Sequence, residues 1–159
     1  MSDTPEFLAK RLREEGEKMV KFFRSLRDEH WQKTVYTEGA TWTVRDVLAH
    51  FVTAEQGFLR LFASILAGGP GATEDFSIDR YNARQLEKTK DLTPRELLAQ
   101  YRAIRERMVA WVSNLKGGDL ERRGRHPFLG ETTLAEMVKM VYRHNQIHYR
   151  DLRRALEEE

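Results

Sequence analysis

Cysteine is absent from this 159-residue chain. Its absence excludes disulfides, thiolate metal sites and a cysteine nucleophile, so any bound metal must rely on nitrogen or oxygen ligands, and cytoplasm is the expected compartment. Long apolar runs are missing as well. No stretch approaches the ~20 residues that a membrane span needs, and the opening MSDTPEFLAKRLREEG lacks the basic start and apolar core of a signal peptide. A soluble protein with no membrane partner is expected. Neither charge sign dominates: 27 Lys and Arg face 25 Asp and Glu, and the +2 balance is mixed along the sequence. Although the sequence pI is 8.9, no recognition-helix pattern accompanies it, so no nucleic-acid partner is expected. Gly68-Gly69-Pro70-Gly71 lacks the Lys-Ser/Thr ending of a phosphate loop, which leaves nucleotide binding without support.

What the chain does have is helical periodicity. Its length suits one domain over residues 1–159, and a chain of that size buries roughly two thirds of its unfolded surface. Leu8, Leu12, Met19, Phe22 and Leu26 follow a four-three spacing behind Thr4-Pro5, which predicts a first helix from about residue 5 to 29. Thr43 and Asp46 open a second, whose stripe is Val44, Val47, Leu48, Phe51, Phe58, Phe62 and Ile65, and the glycine-proline cluster at 68–71 ends it. Thr93-Pro94 with Glu96 open a third, carrying Leu97, Tyr101, Ile104, Met108, Trp111 and Leu115 up to Gly117-Gly118. Thr133 with Glu136 open the last, through Leu134, Met137, Val138, Val141, Leu152 and Ala155. Ile78, Tyr81, Asn82, Gln85 and Leu86 suit a short extra helix between the second and third. No segment alternates like a strand, so the fold class is all-α, a four-helix bundle. Connections of roughly 13, 24 and 16 residues permit a crossover without forcing one.

Histidines interrupt this apolar pattern. His144 and His148 lie about 40° apart on the face of Met137 and Val141, their Cβ atoms about 5 to 6 Å apart, a spacing at which one ion can hold both rings. Asn145 follows His144 where a zincin would have glutamate, so the protease motif is missing. His50, at the edge of the second stripe near Val47 and Ala54, is a third candidate. Three neutral imidazoles on one divalent ion leave positions open, as in catalytic sites.

The stretches WTVRDVLAHFVTAE (Trp42 to Glu55), DRYN (Asp79 to Asn82) and RHNQIH (Arg143 to His148) resemble the DinB-like (DinB/YfiT) family of metal-dependent proteins, over about residues 5 to 156. The resemblance implies a four-helix bundle with a crossover connection, often a homodimer, whose metal ligands fall at His50, His144 and His148. It implies zinc or nickel, with iron or manganese as alternatives that imidazole also accepts. The superfamily includes thiol-dependent transferases and isomerases using bacillithiol or mycothiol, and a hydrolase-like resistance protein.

Other residues support a site or have plainer roles. Glu55 falls on the apolar face of the second helix and Asp151 on that of the fourth; either could hydrogen-bond a ligating histidine, and either could pair with an arginine instead. Glu15 interrupts the first stripe in the same manner. Tyr81 and Asn82 match the family and either line the pocket mouth or dock the extra helix. Gly57 leaves room for substrate or for a close helix contact. His30 and His126 are expected on the surface or in loops, Trp31, Trp42 and Trp111 in packing, and Arg122, Arg123 and Arg125 either in a plain solvated loop or over the pocket entrance, attracting an anionic substrate or thiol cofactor. Three readings compete: a hydrolase or thiol transferase acting on a small molecule, a non-catalytic metal- or ligand-binding stress-associated bundle, and a helical dimer without metal.

Overall fold

The computed structural model describes residues 3–157. Five α-helices form among them: α1 (Pro5–Arg24), α2 (Val44–Leu66), α3 (Ile78–Thr89), α4 (Pro94–Ser113) and α5 (Leu134–Glu157). Thr4, Thr43, Ser77 and Thr93 each accept a backbone N–H from three residues on, and Asp46 and Glu96 close the boxes at Thr43 and Thr93. At Thr133 the cap bond from Glu136 N–H is present at 3.3 Å, while the Glu136 carboxylate turns to Lys139 at 2.8 Å. α1 stops at Arg24, short of the expected residue 29, and a 3₁₀ turn follows at Asp28–Gln32. Leu26 still packs against the core, so the spacing there reports burial without helix. α4 likewise ends at Ser113 before the glycines: the Asn114 side chain caps the Ala110 carbonyl at 2.9 Å, and buried Leu115 follows in a turn.

Helix neighbours define the topology. α1 and α2 each pack on both α4 and α5, whereas α1 and α2 do not form a packed pair, nor do α4 and α5. Consecutive bundle helices therefore lie across two diagonals, the crossover that the connection lengths permitted. Contacts also fix direction. Phe51 meets Tyr101 and Phe62 meets Trp111, so α2 and α4 run parallel. Tyr81 reaches Thr53 and Arg45 reaches the carbonyls of Thr89 and Leu92, so α3 carries the chain back along the outside of α2 before α4 begins.

Each diagonal crossing carries a small hairpin, which the sequence reading did not expect. β1 (Thr34–Tyr36) pairs with β2 (Trp42–Thr43), and β3 (Arg123–His126) with β4 (Gly130–Thr133). They are too short to show alternation, and they exist because helices support them. β3 is strapped to the 68–71 turn: Arg125 donates to the Pro70 carbonyl at 2.9 Å and accepts from Ala72 at 2.8 Å. Gly71 (φ 95°) allows this, since a Cβ there would stand 2.5 Å from the Arg125 backbone. His126, expected on the surface or in a loop, is the last residue of β3 and is only 1% exposed. Its Nδ1 accepts the backbone N–H groups of Phe128 and Leu129 at 3.0 and 3.2 Å, closing the β3–β4 turn, and burial lowers its pKa to about 4.

The core divides into two apolar clusters, one around Leu12, Phe62, Met108 and Val138 and one around Phe23, Leu48, Tyr101 and Leu152. A polar layer crosses the bundle between them. There Arg105 Nε and Nη2 donate to both Glu55 oxygens at 2.8 Å, Nη1 donates to the Leu12 carbonyl at 2.9 Å, and Nη2 to Asn145 Oδ1 at 2.7 Å. Gly16 admits the arginine, because a Cβ there would lie 2.8 Å from Arg105 Cγ. Among the described residues no helix is long and apolar enough to cross a membrane.

Two outcomes follow from these buried groups. Glu55→Ala strands a buried guanidinium and lowers stability by roughly 3–5 kcal/mol in urea unfolding, with Glu55→Gln intermediate. For His126 the folded pKa, about 4, lies below the unfolded value of ~6.5, so its stabilising contribution is full above that value and is lost as pH falls toward the folded one. The stability difference between wild type and His126→Gln, measured by denaturation across that range, should narrow with acidification.

Candidate metal centre

Helix geometry and the polar layer bring the three predicted ligands together. His144 and His148 stand one turn apart on α5, and α2 presents His50 to them from the antiparallel neighbour. His144 Nε2 lies 2.9 Å from His50 Nε2 and 3.1 Å from His148 Nε2, and one ligand nitrogen from each ring falls within 4.8 Å of the others. His50 and His144 are buried and His148 is half-buried.

Burial, followed by the charge of His148, pushes His50 down to about 3. Burial pushes His148 down to about 4 against the opposing pull of Asp151. Burial and the neighbouring imidazoles hold His144 well below its ordinary value. All three rings are neutral near pH 7, the form that ligates.

The second partner of His148 was not legible in the sequence. Tyr36, in β1, donates its hydroxyl proton to Asp151 Oδ2 at 2.5 Å and stands 2.7 Å from His148 Nδ1. With that proton committed to the carboxylate, the Tyr36 oxygen accepts from His148 Nδ1–H, leaving a lone pair on Nε2. Burial and the Asp151 carboxylate raise the Tyr36 pKa, keeping the proton in place. Asp151 thus reaches His148 through a tyrosine. A helix-periodicity argument has no means of finding Tyr36, which lies in a connection.

The donor set fits a divalent cation. Three imidazoles meeting Nε2 to Nε2 cannot all hydrogen-bond to one another, since each nitrogen offers one proton or one lone pair. An ion with tetrahedral bonds of about 2.0–2.1 Å would accept three lone pairs from nitrogens roughly 3.3 Å apart, close to the two separations observed. Trp42 lies 4.8 Å from the His50 ring, and Phe51, Phe58 and Phe128 lie 5.9 to 6.2 Å from that of His144. His50 Nδ1 is buried without a hydrogen-bond partner.

Glu55 is brought to the same layer but not to the histidines: both its oxygens are held by Arg105. Arg105 itself was missed, although it falls four residues after Tyr101 on the same face of α4. Glu15 is also paired, with Gln146 at 2.8 Å and Lys18 at 3.0 Å. Tyr81 and Asn82 line a cavity of about 410 Å³ that His50 reaches, and Asn82 also borders a second recess shared by Tyr36, Trp42 and His148. Tyr81 both lines and docks, because its hydroxyl donates to the Thr53 carbonyl at 3.2 Å. Gly57 makes room for that hydroxyl; a Cβ there would stand 2.7 Å from it.

No curated protein matches the chain. Among solved structures, YfiT from Bacillus subtilis, a probable metal-dependent hydrolase with an unusual four-helix bundle topology, has a TM-score of 0.76 at 20% identity, over 95% of this chain and 85% of its own. The mycothiol-dependent maleylpyruvate isomerase has a TM-score of 0.77 at 14% identity, over 94% of this chain and 61% of its own. ClbS, a colibactin self-resistance protein solved in complex with double-stranded DNA, has a TM-score of 0.73 at 15% identity, over 97% and 98%. These likenesses show a shared fold. The family model described as the DinB superfamily matches residues 11–152, a span that runs from the first bundle helix into the last and takes in all three histidines, and the chain belongs to that superfamily.

Proposed function

We propose that this protein is a metal-dependent enzyme in which His50, His144 and His148 hold one divalent ion, zinc or nickel before iron or manganese, and that it acts on a small molecule by hydrolysis or thiol-type transfer. The observation that carries this reading is the convergence of three neutral Nε2 atoms beside a cavity of about 410 Å³. A closed structural site would leave no such space.

When bound, the ion supplies Lewis acidity to a water, a thiol or a substrate carbonyl. The protein's own residues do the rest. Tyr36 and Asp151 fix the tautomer and ring orientation of His148. Phe51, Phe58 and Phe128 keep water from the inner side of His144 and lower the local dielectric, which strengthens electrostatic effects there. Ala54, Phe58, Leu61 and Ile78 give the cavity apolar walls for a small substrate, with Asn82 as a polar contact at its edge.

YfiT and the isomerase lend support, because the first is described as a probable metal-dependent hydrolase and the second as mycothiol-dependent. A low-molecular-weight thiol is accordingly proposed as co-substrate, and a homodimer as the assembly. The proposal includes no nucleic acid. Since ClbS is bound to duplex DNA, the fold does not exclude one, and this part of the proposal rests on the balanced charge and the missing recognition-helix pattern.

Elemental analysis of untagged protein purified without a nickel column should give close to one divalent ion per chain, falling sharply in His148→Ala. Metal absent from both, with no thermal stabilisation on adding zinc or nickel, would overturn the reading. In chelator competition, Tyr36→Phe should weaken metal binding by about 10- to 100-fold. Esters, amides and thiol-electrophile pairs assayed against wild type and His148→Ala check turnover; inactivity of fully loaded wild type toward all of them would favour non-catalytic binding.

A further inference from the structure

The cavity beside His50 is chemically asymmetric. One end is the His50 ring. Most of the wall is apolar, from Ala54, Phe58, Leu61, Phe76, Ile78 and Phe128. The other end carries Arg60. Phe76 and Phe128 are 41% and 44% exposed, unusual for phenylalanine rings flanking an opening.

Arg60 is not placed by an ion pair. No carboxylate of the described residues pairs with it, while the other arginine of α2, Arg45, is held by Asp46 and two carbonyls. Instead Arg60 Nη2 donates to the Tyr81 hydroxyl at 3.2 Å, whose own proton goes to the Thr53 carbonyl. That bond folds the guanidinium back over Gly57, where Nη2 comes within 3.8 Å of the position a Cβ would take. Gly57 is seven residues beyond His50, about 10 Å along the helix axis. A guanidinium has five N–H donors, so one bond to Tyr81 leaves a fork free.

We infer that Arg60 is a specificity-determining residue, and that the cavity takes an elongated, mainly apolar molecule bearing a carboxylate, with the carboxylate on Arg60 and the reacting group directed toward the histidine end. The planar fork of arginine matches a carboxylate, and its charge is not already neutralised by the protein. The apolar walls remove the middle of the ligand from water. Tyr81 positions the arginine, and Gly57 admits Tyr81. This inference rests on reading the cavity as the substrate site of the proposed metal centre.

The probe is octanoate, against octanol and octylamine of the same length, titrated by calorimetry into the protein as isolated. Wild type should bind octanoate most tightly. Arg60→Gln should lose about tenfold in octanoate affinity and change less than twofold toward octanol, while Arg60→Lys should retain part of the preference. Arg60 is exposed, so these variants are expected to fold. An octanoate preference that survives Arg60→Gln would place the carboxylate on the metal centre or elsewhere and overturn the inference, as would a wild type that prefers octanol or binds none of the three. Metal content of the same samples separates the two failures: a metal-loaded protein indifferent to Arg60 sinks this inference alone, whereas metal-free protein with an Arg60-dependent preference sinks the metal reading and leaves the carboxylate site.

Discussion

A buried guanidinium holds the four bundle helices in register. Arg105 of α4 binds the Leu12 carbonyl of α1, both Glu55 oxygens on α2 and Asn145 of α5. Taking this charge out of water is costly, and only full pairing offsets that cost. Slippage of α2 against α4 by one turn would leave the charge unpaired, and slippage of α1 or α5 would cost it the Leu12 or Asn145 hydrogen bond, so the clamp selects one alignment. Asn145 adjoins His144, and Glu55 lies five residues beyond His50. The alignment that satisfies Arg105 is therefore the one that sets His50 against His144 and His148.

The crossover topology supplies the rest of the centre. In an up-and-down bundle, short loops would join adjacent helices and leave the bundle surface free. Here each diagonal crossing must travel over the bundle, and both crossings form hairpins there. The first brings Tyr36 down onto His148 and Asp151; the second brings Phe128 over His144 and buries His126 beneath the turn. The parallel pair α2 and α4 requires a return segment, and α3 provides it while walling the cavity. Connection and function are thus built from the same residues.

A shared electrostatic logic runs through the layer. The buried carboxylates Glu55 and Glu15 are neutralised by Arg105 and Lys18, and Asp151 meets His148 through Tyr36. The imidazoles remain neutral by burial, as ligands must. The apolar clusters above and below keep water from competing for the lone pairs.

The helices, most of their caps and the pairing of His144 with His148 were legible in the sequence because they depend on local spacing: the two histidines share a face through helical periodicity alone, and Thr43 and Thr93 cap within three residues, whereas His50 was joined to them by the resemblance. The same spacing suggested the extra helix, and the connection lengths permitted the crossover. Tyr36, Arg105, Asn145 and Arg60 acquired their roles only in three dimensions, because each depends on a partner well removed along the chain. Tyr36 lies 112 residues from His148, and Arg105 50 residues from Glu55. Glu55 shows the difference most clearly: its sequence position called for a buried partner and allowed an arginine or a histidine, and the packing of α2 against α4 chose Arg105. Local periodicity determines which face a side chain occupies, whereas the choice of partner follows from how the helices pack.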